Sequence, residues 1–186
     1  MAKAGESLLL NTSHSYNSSM ELTIPSLRYI ESYKSALAEF DVHGISGFWK
    51  MFGDITDEHE YIERIKRLGG RAELTDGMVA STVYWLIEGN EFIGHVSIRH
   101  KLNAALEKRG GHIGYAIRPT MQKRGYGSRL LELAIPKAKA LGIEKALVTC
   151  DKENIASRKI IERNKGIFLD EIEVNKKAIM RFWISL

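Results

Sequence analysis

The chain has 186 residues, 44% hydrophobic and 27% charged, with 3 Pro and 16 Gly, the profile of one globular domain rather than a disordered, fibrous or two-domain chain. Its 27 basic and 23 acidic residues leave a formal net charge of +4 and a pI near 9.1, but the basic residues are scattered; this favours anionic ligands and argues against a nucleic-acid-binding stripe. One cysteine, Cys150, excludes an internal disulfide framework, and no apolar run approaches the roughly 18 residues of a membrane span, so a cytoplasmic protein with neither nucleic-acid nor membrane partners is expected.

Residues 1–20 hold Ser, Asn, Thr and Gly with little periodicity, and read as a flexible leader before a domain over 21–186. Leu8-Leu9-Leu10 is too short for a signal-peptide core and a polar run follows it, so secretion is not indicated. A short strand over 22–24 stops at Pro25, and Tyr29, Tyr33, Leu37 and Phe40 recur at helical spacing over 29–40. Gly44 and Gly47 break that pattern. A second helix is predicted over 57–68, where Asp57 and Glu58 suit the positive N-terminal end and Gly69-Gly70 the stop; Tyr61, Ile62, Ile65 and Leu68 form its apolar face.

The period then shortens. The runs 79–87 and 92–98 are β-rich and joined by Glu88-Gly89-Asn90-Glu91, which predicts a hairpin. Residues 101–109 form a polar, partly helical connection ending in Gly110-Gly111, and a strand over 112–117 is stopped by Pro119. A helix over 128–141, a strand over 146–150, a helix over 154–164 and strands over 167–172 and 178–185 complete the chain. That order implies an α/β fold of the α+β mixed-sheet kind: a central, twisted, mostly antiparallel sheet with one parallel step, flanked by about four helices. Pro136 interrupts the hydrogen bonding of helix 128–141 at a cost of about 3 kcal/mol, so a kink is expected. Leu130, Leu131, Ala134, Ile135, Ala138 and Leu141 nevertheless keep one apolar face across it.

The segment richest in chemistry is Gln122-Lys123-Arg124-Gly125-Tyr126-Gly127, between a strand and an amphipathic helix. A glycine-rich turn here aims several backbone N–H groups at one spot, and the helix start adds partial positive charge, which suits phosphate oxygens. Lys123 and Arg124 add cations, so a pyrophosphate fits better than a neutral ligand; the plainer reading is a β-to-α turn with a basic surface. A Walker-type loop and a dinucleotide fingerprint are both absent, since Leu130 stands where the latter needs its third glycine.

With these residues in place, 112–168 resembles the acetyl-CoA-binding core of the GNAT superfamily of N-acetyltransferases. The match is to a Gln/Arg-x-x-Gly-x-Gly/Ala motif at Gln122 to Gly127, supported by the preceding Gly114-Tyr115-Ala116-Ile117-Arg118-Pro119, by Val148-Thr149-Cys150, and by Asn154-Ile155-Ala156-Ser157 opening the next helix. Arg99-His100-Lys101-Leu102-Asn103 followed by Gly110-Gly111-His112-Ile113-Gly114-Tyr115 is similar to a group of bacterial predicted acetyltransferases. The resemblance implies acetyl-CoA as co-substrate, no metal, and direct acetyl transfer to the primary amine of a small molecule or peptide. A homodimer is the default assembly. It also implies that backbone groups of Ala116, Ile117 and Arg118 meet the acetyl and pantetheine part of the cofactor. Gln122, Lys123, Arg124, Gly125, Tyr126, Gly127 and Ser128 would hold the pyrophosphate, Asn154 the pantetheine arm, and Ser157 the arm or the phosphates. Asn154 is equally a good helix N-cap, Ser157 a first-turn polar residue, and Tyr126 a packing residue.

The chain departs from the family where proton transfer is concerned. Many members carry a tyrosine acid seven residues after the asparagine, and here Ile161 stands there; the strand position of a base glutamate in some members falls near Gly111. That prompts an alternative, a catalytically silent acyl-CoA-binding module. The remaining catalytic candidates are His112 on the strand, His100 at the end of the previous one, and Tyr115 as acid, unless strand alternation turns it into the core. Cys150 reads as a buried strand residue rather than a nucleophile. A lysine acceptor, with a reference pKa near 10.4, depends more on a base or a desolvating pocket than does an α-amine near 8.

Overall fold

The hairpin around Gly89-Asn90 supplies the two inner strands of the larger sheet. In the computed structural model, which describes residues 20–45, 53–70 and 78–186, β1 (Met20–Thr23), β2 (Ser81–Glu88), β3 (Glu91–Arg99) and β4 (Ile113–Ile117) form one antiparallel sheet in that order. The expected leader, apart from Met20, and the expected break at Gly47 lie outside the described residues. A second antiparallel sheet has the order β5 (Lys145–Asp151), β7 (Lys177–Ser185), β6 (Ile167–Val174). Among the described residues there are five α-helices: α1 (Ile30–Val42), α2 (Glu58–Arg67), α3 (Ala104–Lys108), α4 (Tyr126–Ala140) and α5 (Ile155–Arg163).

Local chemistry accounts for most boundaries. The side chain of Asp57 caps α2 by accepting the Glu60 N–H at 2.8 Å, and Asn103 caps α3 by accepting the Leu106 N–H at 2.9 Å. The helix expected over 29–40 begins instead as a 3₁₀ turn over Leu27–Tyr29, where Ser26 accepts the Arg28 N–H, and then continues as α1 to Val42. α4 starts two residues earlier than its periodicity predicts, at Tyr126, and runs through Pro136 as one element. The β6–β7 turn places Asn175 and Lys176 at φ 51° and 62°, the left-handed pair of a tight hairpin.

Two apolar clusters pack on opposite faces of the first sheet. One joins Ile93, Val96, Ile98 and Ile113 to Leu130, Leu131 and Ala134 of α4 and to β5 and β7. The other sets Val83, Trp85, Ile87 and Phe92 beneath α1 and α2, with Tyr33 stacked on Trp85 at 4.4 Å between ring centroids. Each such fully buried large side chain contributes roughly 1.5–3 kcal/mol. An ion-pair latch ties α1 to the end of β4: Arg118 bonds Glu39 Oε1 at 2.6 Å and Glu91 Oε1 at 3.0 Å.

The parallel step takes a form the sequence does not show. The facing edges of the two sheets, β4 and β5, meet where the His112 N–H donates to Leu147 O at 2.7 Å and the Leu147 N–H donates to His112 Nδ1 at 2.9 Å. A ladder would need that second N–H for a backbone carbonyl; the imidazole takes it, and among the described residues no ladder joins the sheets. Gly111 permits the approach, because its φ is +60° and a Cβ there would overlap the Leu147 carbonyl.

Candidate active site

Beyond this junction the remaining edge of β4 borders a cavity of about 610 Å³, lined by Tyr115, Ala116 and Ile117, by the turn into α4, by α5 from Ala156 to Arg163, and by Phe40 of α1 and Ile45 just after it. The Arg118 N–H is spent on Ile93 O at 2.9 Å, within the sheet. Alternation in an antiparallel ladder turns Ala116 the same way and presents the backbone N–H and C=O of Tyr115 and Ile117 to the open edge. The Ile117 carbonyl accepts Gln122 Nε2 at 3.1 Å, which draws the turn against the strand.

The turn itself is built to leave donors unspent. Lys123 and Gly125 are left-handed, at φ 61° and 86°, and Gly125 stands at the N-cap of α4. The N–H groups of Ser128 and Arg129 both donate to Gly125 O, at 3.1 and 3.2 Å, but among the described residues those of 123–127 have no backbone acceptor. Successive free N–H groups at a helix start form an anion-binding concavity. Lys123, Lys159 and Arg163 line the cavity, and no carboxylate does so among its described lining. Gly127 lets α4 and α5 touch, since a Cβ there would stand 2.6 Å from Ile160 Cδ1. Asn164 Nδ2 fastens the same contact by donating to Ser128 O at 3.2 Å and Ile160 O at 2.9 Å.

Across the cavity Asn154 does what a cap does: its Oδ1 accepts the Ser157 N–H at 3.0 Å while the residue also lines the cavity. Ser157 Oγ shares a hydrogen bond of 2.9 Å with the Tyr115 hydroxyl. Burial, partly offset by this bond, pushes the Tyr115 hydroxyl up to about 12, so it keeps its proton throughout the physiological range. The alternation that could have hidden Tyr115 in the core packs its ring against the core and leaves its hydroxyl at the cavity.

Of the residues expected at the site, Ala116, Ile117, Gln122, Lys123, Gly125, Gly127, Ser128, Asn154, Ser157 and Tyr115 line the cavity; Arg118, Arg124 and Tyr126 do not. The Arg118 side chain is held by Glu39 and Glu91, and Arg124 reaches Met121 Sδ at 3.6 Å. The Tyr126 hydroxyl donates to Glu88 Oε2 at 2.6 Å, a bond that raises it to about 12. Neither histidine reaches the cavity lining. His112 Nδ1 accepts the Leu147 N–H, so the neutral ring carries its proton on Nε2 and has no lone pair left for a base; burial and the nearby Arg99 lower its pKa. His100 Nε2 pairs with Thr82 Oγ1 at 2.8 Å. Cys150 is buried and burial pushes its thiol up, as a strand residue rather than a nucleophile.

The two departures from the family pattern have physical reasons. Ile161 is fully buried beneath Gly166, and it is its neighbour Ile160 that lines the cavity, so a proton donor at 161 would not face it. A side chain at Gly111 would collide with Leu147. Sequence reasoning missed Lys159 and Arg163, although their spacing of four on the helix that Asn154 opens was a usable signal.

The sequence profile of the acetyltransferase (GNAT) family matches residues 46–167, and the chain belongs to that family. Solved structures similar to it include the RimL ribosomal L7/L12 alpha-N-protein acetyltransferase in complex with coenzyme A, 16% identical, covering 91% of this chain and 96% of that one at a TM-score of 0.64. The microcin C7 self-immunity acetyltransferase MccE, in complex with acetyl-CoA and AMP, is 18% identical, with coverages of 91% and 94% and a TM-score of 0.65. The putative acetyltransferase yncA from Salmonella typhimurium, with acetyl-CoA, is 14% identical, with coverages of 90% and 94% and a TM-score of 0.58. At these identities the likeness is one of fold. No curated protein matches the sequence significantly.

Proposed function

We propose that the chain, through a domain over 21–186, transfers an acetyl group from acetyl-CoA to a primary amine. The observation that carries this reading is the turn over 123–127, whose backbone N–H groups have no acceptor among the described residues and which opens on a cavity bordered by Lys123, Lys159 and Arg163. That set fits a pyrophosphate; the unspent donors hold phosphate oxygens while the three cations offset their charge. Tyr115 and Ile117 offer backbone donors along the β4 edge to an amide-containing arm, and Asn154 and Ser157 close the opposite wall. Acetyl-CoA, when bound, supplies an activated thioester open to attack by an amine.

Tyr115 then takes the role that Ile161 cannot. Its Oη holds a proton up to about pH 12 and is steadied by Ser157 Oγ, which makes it the donor for a departing thiolate. A backbone N–H on the open edge of β4 stabilises the oxygen that takes up charge during transfer. His112 is a positioning residue that holds β4 to β5. No helix among the described residues is long and apolar enough to cross a membrane, and none of their His, Cys, Asp and Glu side chains cluster as a metal site.

The test is release of free thiol from acetyl-CoA when an amine panel is added to the purified protein. Amine-dependent release, reduced about 10- to 100-fold in kcat by Tyr115→Phe, is expected. Bound acetyl-CoA that no amine turns over would favour the silent binding module.

A further inference from the structure

The opposite face of β4 carries a second polar arrangement that the cavity does not use. Alternation along β3 places Ser97 and Arg99 on the face that packs under α1 and α2, away from Ile98 and Ile113. Ser97 lies directly across the ladder from Gly114; it is 1% exposed, and its hydroxyl has no hydrogen-bond partner among the described residues. An unpaired buried hydroxyl costs about 1–3 kcal/mol, so one retained in a fold calls for a partner such as a water, an ion or a ligand oxygen.

Arg99 lies beside it. Its Nη1 donates to Gly110 O at 3.1 Å and Gly111 O at 3.0 Å, and Nη1 and Nη2 lie 3.3 and 3.4 Å from where a Gly114 Cβ would stand. The missing side chain of Gly114 thus lets the guanidinium rest on β4 one residue before Tyr115. Three other arginines that tie elements of the fold together are each paired with carboxylates: Arg118 with Glu39 and Glu91, Arg109 with Asp151, Arg181 with Asp170. Among the described residues Arg99 bonds only carbonyl oxygens, so its positive charge has no carboxylate partner there, and burial pulls its pKa below the usual arginine value. Among the described residues its Nε and Nη2 have no hydrogen-bond partner, and a partly buried guanidinium so placed is a fork for two oxygens of one anion.

We propose that Arg99 and Ser97 form an oxyanion subsite on the acceptor side of β4, so that the acceptor is a small amine that also carries a carboxylate or phosphate. This rests on the acetyltransferase reading above. Tyr115 turns its hydroxyl to the cavity and Gly114 exposes its other face to Arg99, so the anion of the acceptor is held across the strand from the proton donor.

The test measures kcat/KM at saturating acetyl-CoA for matched amines: α-amino acids against their carboxamides, and phosphoethanolamine against ethanolamine. The acid member is expected to be preferred about tenfold or more in at least one arm, and the arm that shows it identifies carboxylate or phosphate. Arg99→Gln removes the preference mainly through KM, Arg99→Lys restores part of it, and Ser97→Ala lowers it about two- to fivefold. Circular dichroism and acetyl-CoA affinity check each variant, because Arg99 also holds the Gly110–Gly111 turn; if Arg99→Gln fails to fold, Ser97→Ala and Arg99→Lys decide. Equal rates for acid and neutral members, no turnover of any acid member by protein that acetylates neutral amines, or a preference that survives Arg99→Gln overturns the subsite alone. Failure of wild type to bind acetyl-CoA overturns the acetyltransferase reading and the subsite with it.

Discussion

The two ends of β4 are built in opposite ways. At its start, Gly111 and His112 seal the strand to β5 with one backbone bond and one imidazole bond, both about Leu147. At its end, Tyr115 and Ile117 face a cavity, and the turn into α4 beyond it presents unspent backbone donors. One strand thus serves as a weld and as an open binding edge, and the weld fixes where the opening begins. A continuous ladder would have satisfied more backbone groups and left no room for a ligand.

The largest effect is expected at the weld. Gly111→Ala forces a Cβ against the Leu147 backbone at a left-handed φ, and the loss in unfolding free energy measured with urea should be about 2–4 kcal/mol. The next falls at the open end: Tyr115→Phe removes the hydroxyl shared with Ser157 and should lower kcat about 10- to 100-fold, while changing stability by about 1 kcal/mol or less. Because burial raises Tyr115 to about 12, wild-type kcat should show no loss from its ionisation until the pH nears that value.

The smallest effect is electrostatic. The folded pKa of His112 lies below its ordinary 6.5, so its contribution to stability is present above pH 6.5 and is lost as pH falls through the folded value. Buried His95, lowered to about 4, acts in the same direction at lower pH. Urea midpoints between pH 7.5 and pH 4.5 should therefore fall for wild type and fall less steeply for His112→Gln, which should itself cost about 1 kcal/mol at neutral pH.

What the sequence showed and what it hid follow the same division. The open end was legible because local chemistry makes it: glycines at a helix start, a capping asparagine, a strand ended by proline. The hairpin and α2 were legible for the same reason, through Gly89-Asn90 and the Asp57 cap. The weld was not, since His112 and Leu147 are 35 residues apart and nothing in either segment announces the pairing. That is why His112, read as a candidate proton relay, turns out to have its lone pair engaged. Phe40, Lys159 and Arg163 escaped because periodicity gives a helix a face without naming the neighbour it meets.

The most direct test of the account is a calorimetric titration of acetyl-CoA into wild type and into Gly125→Glu, which sets bulk and negative charge in the turn at φ 86°. Micromolar binding by wild type, weakened at least about 100-fold in a variant that remains folded, is the predicted result. Equal binding by both proteins, or no binding by folded wild type, would contradict it.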